Sequence, residues 1–257
     1  MLNPEHNHAQ EQRALNFSLK FLFNPRSQPI VTGASVLAIT YKDGVMMISD
    51  TLASYGSMAR YKSVQRIAKV NDGAIVGASG EFSDFQYIKD LLEDLTETIN
   101  SKAIQFRDEE FDMDDGCEMS PSQIHSYLSR VMYNRRTKVN PLYNQLVIGG
   151  YDAKKKTGYL GAVDMYGSTF KENIVATGYG MYMALPLLRK SHSPDMEEKD
   201  ARALLEKCMT VLFYRDCRTI NKYNIAKVTA SGVEIAKPYS LPTKWDFKRF
   251  VNPHLKE

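Results

Sequence analysis

Gly33-Ala34-Ser35 stands where a strand begins, and here residue type and spacing bear most directly on chemistry. The run from Thr32 to Ile39 reads as a strand, turns at Asp43-Gly44, and returns through Val45-Met46-Met47-Ile48 to Ser49-Asp50. Asp-Gly between two apolar runs signals a hairpin whose turn residues are expected at positive φ. A hydrolase that attacks with the first residue of such a strand needs Thr, Ser or Cys directly after Gly33, because those side chains can become nucleophiles. Ala34 supplies only a methyl group. Ser35 is one residue late. Strand alternation turns it to the opposite face, and freeing its amine would require cleavage after Ala34.

Other reactive groups give weaker patterns. Cys117, Cys208 and Cys217 are an odd number with no C-x-x-C spacing, which argues against a zinc site or a disulfide framework and fits a reducing compartment. Cys208 falls on the apolar stripe of a helix and reads as a small buried hydrophobe. Between Asp108 and Glu118 lie seven acidic residues, yet the glycine and terminal glutamate of an EF-hand are not at their spacing. A solvated surface loop is expected over the whole of 102–119, and no metal or other cofactor.

The elements that must position Ala34 can be read from periodicity. A turn at Ser54–Ser57 precedes a second hairpin, Arg66–Val70 with Ala74–Ala78, around Asn71-Asp72-Gly73. Apolar residues at Phe82, Phe85, Ile88, Leu91, Leu92, Leu95 and Ile99 recur with helical spacing, and Ser83 and Asp84 suit the start of that helix. Ser120-Pro121-Ser122-Gln123 is a capping box with proline at the first position, followed by a stripe of Ile124, Tyr127, Leu128, Val131 and Met132. Strands are expected over 142–151, 159–164 and 168–175, helices over 180–189 and 197–213, and a last hairpin over 223–229 and 233–236. An α+β fold buries all these stripes if two antiparallel sheets are each covered by a helix pair: a four-layer αββα sandwich.

At 257 residues with 43% hydrophobic and 25% charged residues, the chain has enough apolar surface for one such domain. A net charge of +3 without a clustered basic face argues against a nucleic-acid partner. No stretch approaches the ~20 apolar residues of a membrane span. The polar first 14 residues lack a signal-peptide pattern, so a cytosolic or nuclear protein is expected.

The layout, with Gly33 ahead of the first strand, resembles the proteasome β-subunit branch of the N-terminal nucleophile hydrolases. Local runs carry the resemblance further: Pro29–Gly33, Ala53–Arg60, Met132–Leu142, Ala176–Gly180, Pro186–Arg189 and Val211–Asp216. It extends from about Pro29 to Phe247. In active members a threonine follows the glycine and its freed amine is the base; that position here is Ala34. The resemblance places the aspartate closing the first hairpin at Asp50 and the activating lysine at Arg66, a charge-preserving but not conservative swap. The oxyanion-stabilising glycine falls on Gly80, a serine that assists the amine on Met181, the second aspartate on Asp216 and the next serine on Thr219. Nucleophile, lysine and one serine are absent, so Asp50, Arg66 and Asp216 are expected to form a structural ion cluster and the chain to be non-catalytic.

The resemblance also implies an organisation. Residues 1–25 would be a propeptide-like segment, trimmed by neighbours near Asn24, Pro25, Arg26 and Ser27 while Gly33–Ala34 stays intact. Residues 26–238 would be the domain, and 239–257 a C-terminal extension carrying Trp245, Phe247 and Phe250. That tail either folds back on its own domain or, as the family suggests, reaches into the opposite β-ring and helps half-particles dimerise. The implied partners are α- and β-type subunits in stacked seven-membered rings, together with assembly chaperones. The implied setting is ubiquitin- and ATP-dependent degradation in cytoplasm and nucleus. The alternatives are an active amidohydrolase or peptidase of the same fold using Ser35, and a binding module with no chamber.

Overall fold

A computed structural model describes residues 28–107 and 118–246. The acidic run 108–117 with Cys117, the trimming positions Asn24, Pro25, Arg26 and Ser27, and Phe247 and Phe250 lie outside the described residues. Thirteen strands among those described form two antiparallel sheets. The first sheet has the order β10-β9-β8-β7-β1-β4-β5, from Thr169–Lys171 (β10), Thr157–Val163 (β9), Asn144–Asp152 (β8), Ala74–Glu81 (β7), Val31–Gly33 (β1), Ala53–Tyr55 (β4) and Met58–Tyr61 (β5). Ile67–Asn71 (β6) shares the edge of β7 with β1. The second sheet runs Ile174–Ala176 (β11), Val36–Tyr41 (β2), Gly44–Asp50 (β3), Tyr223–Thr229 (β12) and Gly232–Ile235 (β13).

Helices Phe82–Arg107 (α1) and Pro121–Thr137 (α2) cover the first sheet. Gly180–Met183 (α3), Leu185–Ser191 (α4) and Glu198–Arg215 (α5) cover the second. Strand alternation sorts the apolar residues into three cores. Val36, Ala38, Val45, Met47, Ile75, Val147 and Val228 fill the gap between the sheets. Leu37, Ile39, Met46 and Ile48 face Leu205, Cys208, Met209 and Leu212 of α5, and Val76, Leu146 and Ile148 face Ile88, Ile124 and Leu128. The expected αββα sandwich is therefore present, with Cys208 fully buried as a small hydrophobe.

Five local expectations are corrected. The run Thr32–Ile39 is not one strand: β1 lies in the first sheet and β2 in the second, so the chain crosses between sheets at Ala34-Ser35. The first hairpin turns on Lys42-Asp43, with Tyr41 opposite Gly44, and neither turn residue has positive φ. Gly44 is required by packing instead, since a Cβ there would collide with the Val228 carbonyl on β12. Residues 168–175 split into β10 and β11, which belong to different sheets. The helix at 180–189 is interrupted at Ala184, where Pro186 cannot donate a backbone hydrogen bond to the preceding turn. Residues 102–107, expected as the start of the acidic loop, instead continue the first long helix to Arg107, whereas the capping box at Ser120 forms as its sequence requires.

Candidate functional site

The crossing at Ala34-Ser35 is held mainly by Arg66, which sits on the edge of β7 between the first residue of β6 and the last residue of β1. Only 1% of Arg66 is exposed. Its Nε–H donates to the Asp50 carbonyl at 3.2 Å, and Nη1 donates to the carbonyls of Ala34 at 2.9 Å and Ala78 at 3.3 Å. Nη2 donates to the Ser35 carbonyl at 3.1 Å and to Asp50 Oδ1. All five guanidinium hydrogens are thus committed. The group joins both sheets and neutralises Asp50. Burial pushes the Asp50 carboxyl above its ordinary range, against the pull of Arg66 and the N–H groups of Leu52 and Ile220. Gly33 is small for the same reason: a Cβ there would overlap the Arg66 side chain.

Asp216 does not join this pair. Its carboxylate caps the turn after α5, accepting from the Arg218 N–H at 2.9 Å and from Thr219 Oγ1 at 3.0 Å. The expected three-membered ion cluster is therefore a buried pair plus a separate capped turn, because Asp50 already has Arg66 and its backbone donors. Met181 stands apart on α3, 38% exposed.

Ser35 is buried, and its Oγ accepts the Gly180 N–H at 2.8 Å. At Gly180 an added Cβ would collide with Leu37 and press on Ser35, while Gly178 is called for by its φ of +57°. Ser35 lies between β1 and β2, so simple strand alternation does not set its direction. Its hydroxyl instead anchors the turn that leads into α3. Thr177 closes the same joint, its N–H on the Val36 carbonyl and its Oγ1 accepting from the Val36 N–H, both at 2.9 Å.

Residues ahead of Ala34 are built into the sheet. Val31–Gly33 pair with β4 on one side, and Thr32 and Gly33 face Glu81 and Gly80 of β7 on the other. Glu81, which sequence reading passed over, accepts the N–H groups of Ile30 at 2.5 Å and Val31 at 3.1 Å. An extended chain paired on both edges leaves no edge for a peptide to add as a strand. Sequence alone gives no signal for Glu81, because its partners are main-chain groups 50 residues away.

Gly80 takes φ of +97°, and a Cβ there would strike the Tyr143 carbonyl. Around it an open cleft of about 260 Å³ is lined by Thr32, Gly33, Ser79, Asn144, Gln145 and Gly178, among others. Asn144 donates through Nδ2 to the carbonyls of Ser79 at 3.1 Å and Glu81 at 2.8 Å. The described lining of the cleft holds no carboxylate, histidine, lysine or cysteine, and its Ser79 hydroxyl donates to the Gln145 carbonyl at 3.5 Å. Arg66 cannot give up a proton there.

Trp245 packs edge-on against Phe213 and Tyr214, with centroids 5.9 and 5.0 Å away. Tyr214 Oη also bonds the Lys244 main chain, accepting its N–H at 2.7 Å and donating to its carbonyl at 3.2 Å. The described tail thus folds onto the end of α5, while Trp245 stays 61% exposed.

The profile of the family described as Proteasome subunit matches residues 30–228. The chain is 49% identical over 225 residues to proteasome subunit beta type-4 of Arabidopsis thaliana, spanning 88% of this chain and 86% of that one. It is 46% identical over 217 residues to the beta type-4 subunit of Dictyostelium discoideum, spanning 84% and 79%. To proteasome subunit beta type-7 of Saccharomyces cerevisiae the identity is 38% over 232 residues, spanning 87% and 84%. With two sheets joined through Arg66 at a strand entry that lacks a nucleophile, the chain belongs to the proteasome subunit family, among its β-type members.

Proposed function

We propose that this chain is a non-catalytic structural β-subunit of a 20S proteasome core particle. It contributes part of the wall of a chamber in which other subunits hydrolyse peptide bonds during ubiquitin- and ATP-dependent degradation. The observation that carries this reading is the filled junction: Ala34 offers no nucleophile, and Arg66 spends every donor on the surrounding backbone and Asp50. Without a nucleophile there is no covalent path, whatever the remaining backbone could stabilise. A peptidase using Ser35 is disfavoured by the burial of that hydroxyl and its bond to Gly180.

Asp50, Arg66, Gly80, Asp216 and Thr219 act in this reading as parts of the scaffold, and Ala34 and Met181 as positions where chemistry has been lost. The leader, residues 1–25, is removed near Asn24–Ser27, upstream of the strand that Glu81 fixes. The domain spans 26–238. The extension 239–257 contributes Trp245, Phe247 and Phe250 to a contact between half-particles, and Trp245's exposure supports that role. α- and β-type neighbours in seven-membered rings, assembly chaperones, and residence in cytoplasm and nucleus complete the proposal.

Native mass measurement after gentle purification tests it. Recovery in a particle far above 29.2 kDa, with α- and β-type chains, is expected. A free chain that hydrolyses peptides on its own would contradict it.

A further inference from the structure

Thr51 and Gln65, the chain neighbours of Asp50 and Arg66, line a second cleft of about 330 Å³ that shares no residue with the one around Gly80. It lies between residues 63–65, which join β5 to β6, and the open end of the β12–β13 hairpin. Asn224 singles it out. Tyr223 and Ile225 pack toward α5, so strand alternation turns Asn224 the other way, toward residues 63–65. Only 5% of Asn224 is exposed, yet its side-chain amide has no partner among the described residues. Its Oδ1 is buried, which leaves Nδ2, a donor, as the end that meets the cleft. Directly opposite on β3, and on the same face, Ser49 Oγ is also buried without a partner. Folded chains pair nearly all such groups, so an open amide in the wall of a cleft calls for a ligand.

The remaining lining indicates which ligand. It holds no carboxylate, and Ile235, Ala236 and Pro238 form an apolar wall. Lys237 lines the cleft, and Lys222 reaches its rim, donating to Ser63 Oγ at 3.1 Å. Accepting from Lys222 leaves the Ser63 hydroxyl its own proton to donate. Neither lysine pairs with a carboxylate among the described residues. A smaller cleft of about 70 Å³ beside Met46 has the opposite character: its Lys227 is already matched by Glu198 at 3.0 Å and Glu234 at 3.1 Å.

We propose that the Asn224–Lys237 cleft binds a small organic anion, the anionic head on Lys237, Ser63 and Asn224 Nδ2 and the apolar body on Ile235 and Pro238. Its volume is that of a small-molecule pocket.

Acetylation of lysines by acetic anhydride, read by peptide mass mapping of the full chain as natively purified, tests the site. Phenyl phosphate and benzoate probe the two kinds of anionic head, and benzylamine is the cation of similar shape. At least one of the two anions should slow modification of Lys237 by about threefold or more, with exposed Lys154 unchanged and no effect from benzylamine. Asn224→Leu should abolish this protection without lowering the melting temperature, because the amide it removes has no partner to lose. Lys237→Gln, a surface change, should weaken the protection seen at Lys222. No protection by either anion, equal protection by benzylamine, or full protection in Asn224→Leu or Lys237→Gln would overturn the site. So would a fall in melting temperature in Asn224→Leu, which would make the amide a structural group.

Discussion

On one side of Gly33–Ala34 lies a charged flank, Asp50 and Arg66; on the other lies a glycine flank, Gly80, Gly178 and the open cleft. The charged flank is closed: every guanidinium donor is used, and the pair is dry. The glycine flank keeps the shape of a site, with Gly80 at φ of +97° and an open concavity of about 260 Å³. The difference shows which parts of a catalytic fold are imposed by chemistry and which by packing. Gly80 must stay because the Tyr143 carbonyl leaves no room for a Cβ, whereas nothing in the packing demands a nucleophile at residue 34. Arg66 has become the fastener between two sheets, so the charged flank now stabilises what the glycine flank shapes.

The comparison breaks most readily at Arg66. Arg66→Met strands the buried Asp50 carboxylate and four carbonyls, and should lower stability by about 3–5 kcal/mol in urea unfolding. A loss under about 1 kcal/mol would mean the pair fastens nothing. Acidification sharpens the point. The Asp50 carboxyl already sits above its ordinary 3.8, and removing Arg66 raises it further. The folded state then binds the proton more tightly than the unfolded one, so stability falls as pH rises through that interval. The cost of Arg66→Met should therefore be smaller near pH 4.5 than at pH 7, and a pH-independent cost would mean that Asp50 is not the group left stranded.

The glycine flank answers with a smaller effect. Gly80→Ala combines an unfavourable φ with the Tyr143 carbonyl and should cost about 1–3 kcal/mol, read as a shift in the urea midpoint. If it were neutral, Gly80 would be a relic of chemistry and not a demand of packing. Ser120→Ala removes the capping box of α2, far from both flanks, and should cost about 1 kcal/mol in the same titration. That value is the baseline against which the flanks should stand out.

Elements whose signals are local were legible in the sequence: the capping box at Ser120, the stripes of α1, α2 and α5, and the hairpins at 67–81 and 223–235. So was the absence of a nucleophile at Ala34. The crossing at Ala34-Ser35 was not, because an apolar run reads the same whether or not it changes sheets. The place of Asp216 was also hidden, since its charge suggested a cluster while its short loop to Thr219 offered closer donors. Glu81 left no trace, because its partners are main-chain N–H groups distant in sequence. Local periodicity reveals elements, and only the assembled sheets reveal which charges meet.

The central claim is that this subunit neither cuts nor is cut at Gly33–Ala34. Peptide mapping of the chain from native particles treated with a threonine-directed covalent inhibitor addresses both halves at once. An unmodified chain with an intact Gly33–Ala34 bond, alongside labelled neighbours, is the predicted result. A chain that begins at Ala34, or one that carries the inhibitor, would contradict it.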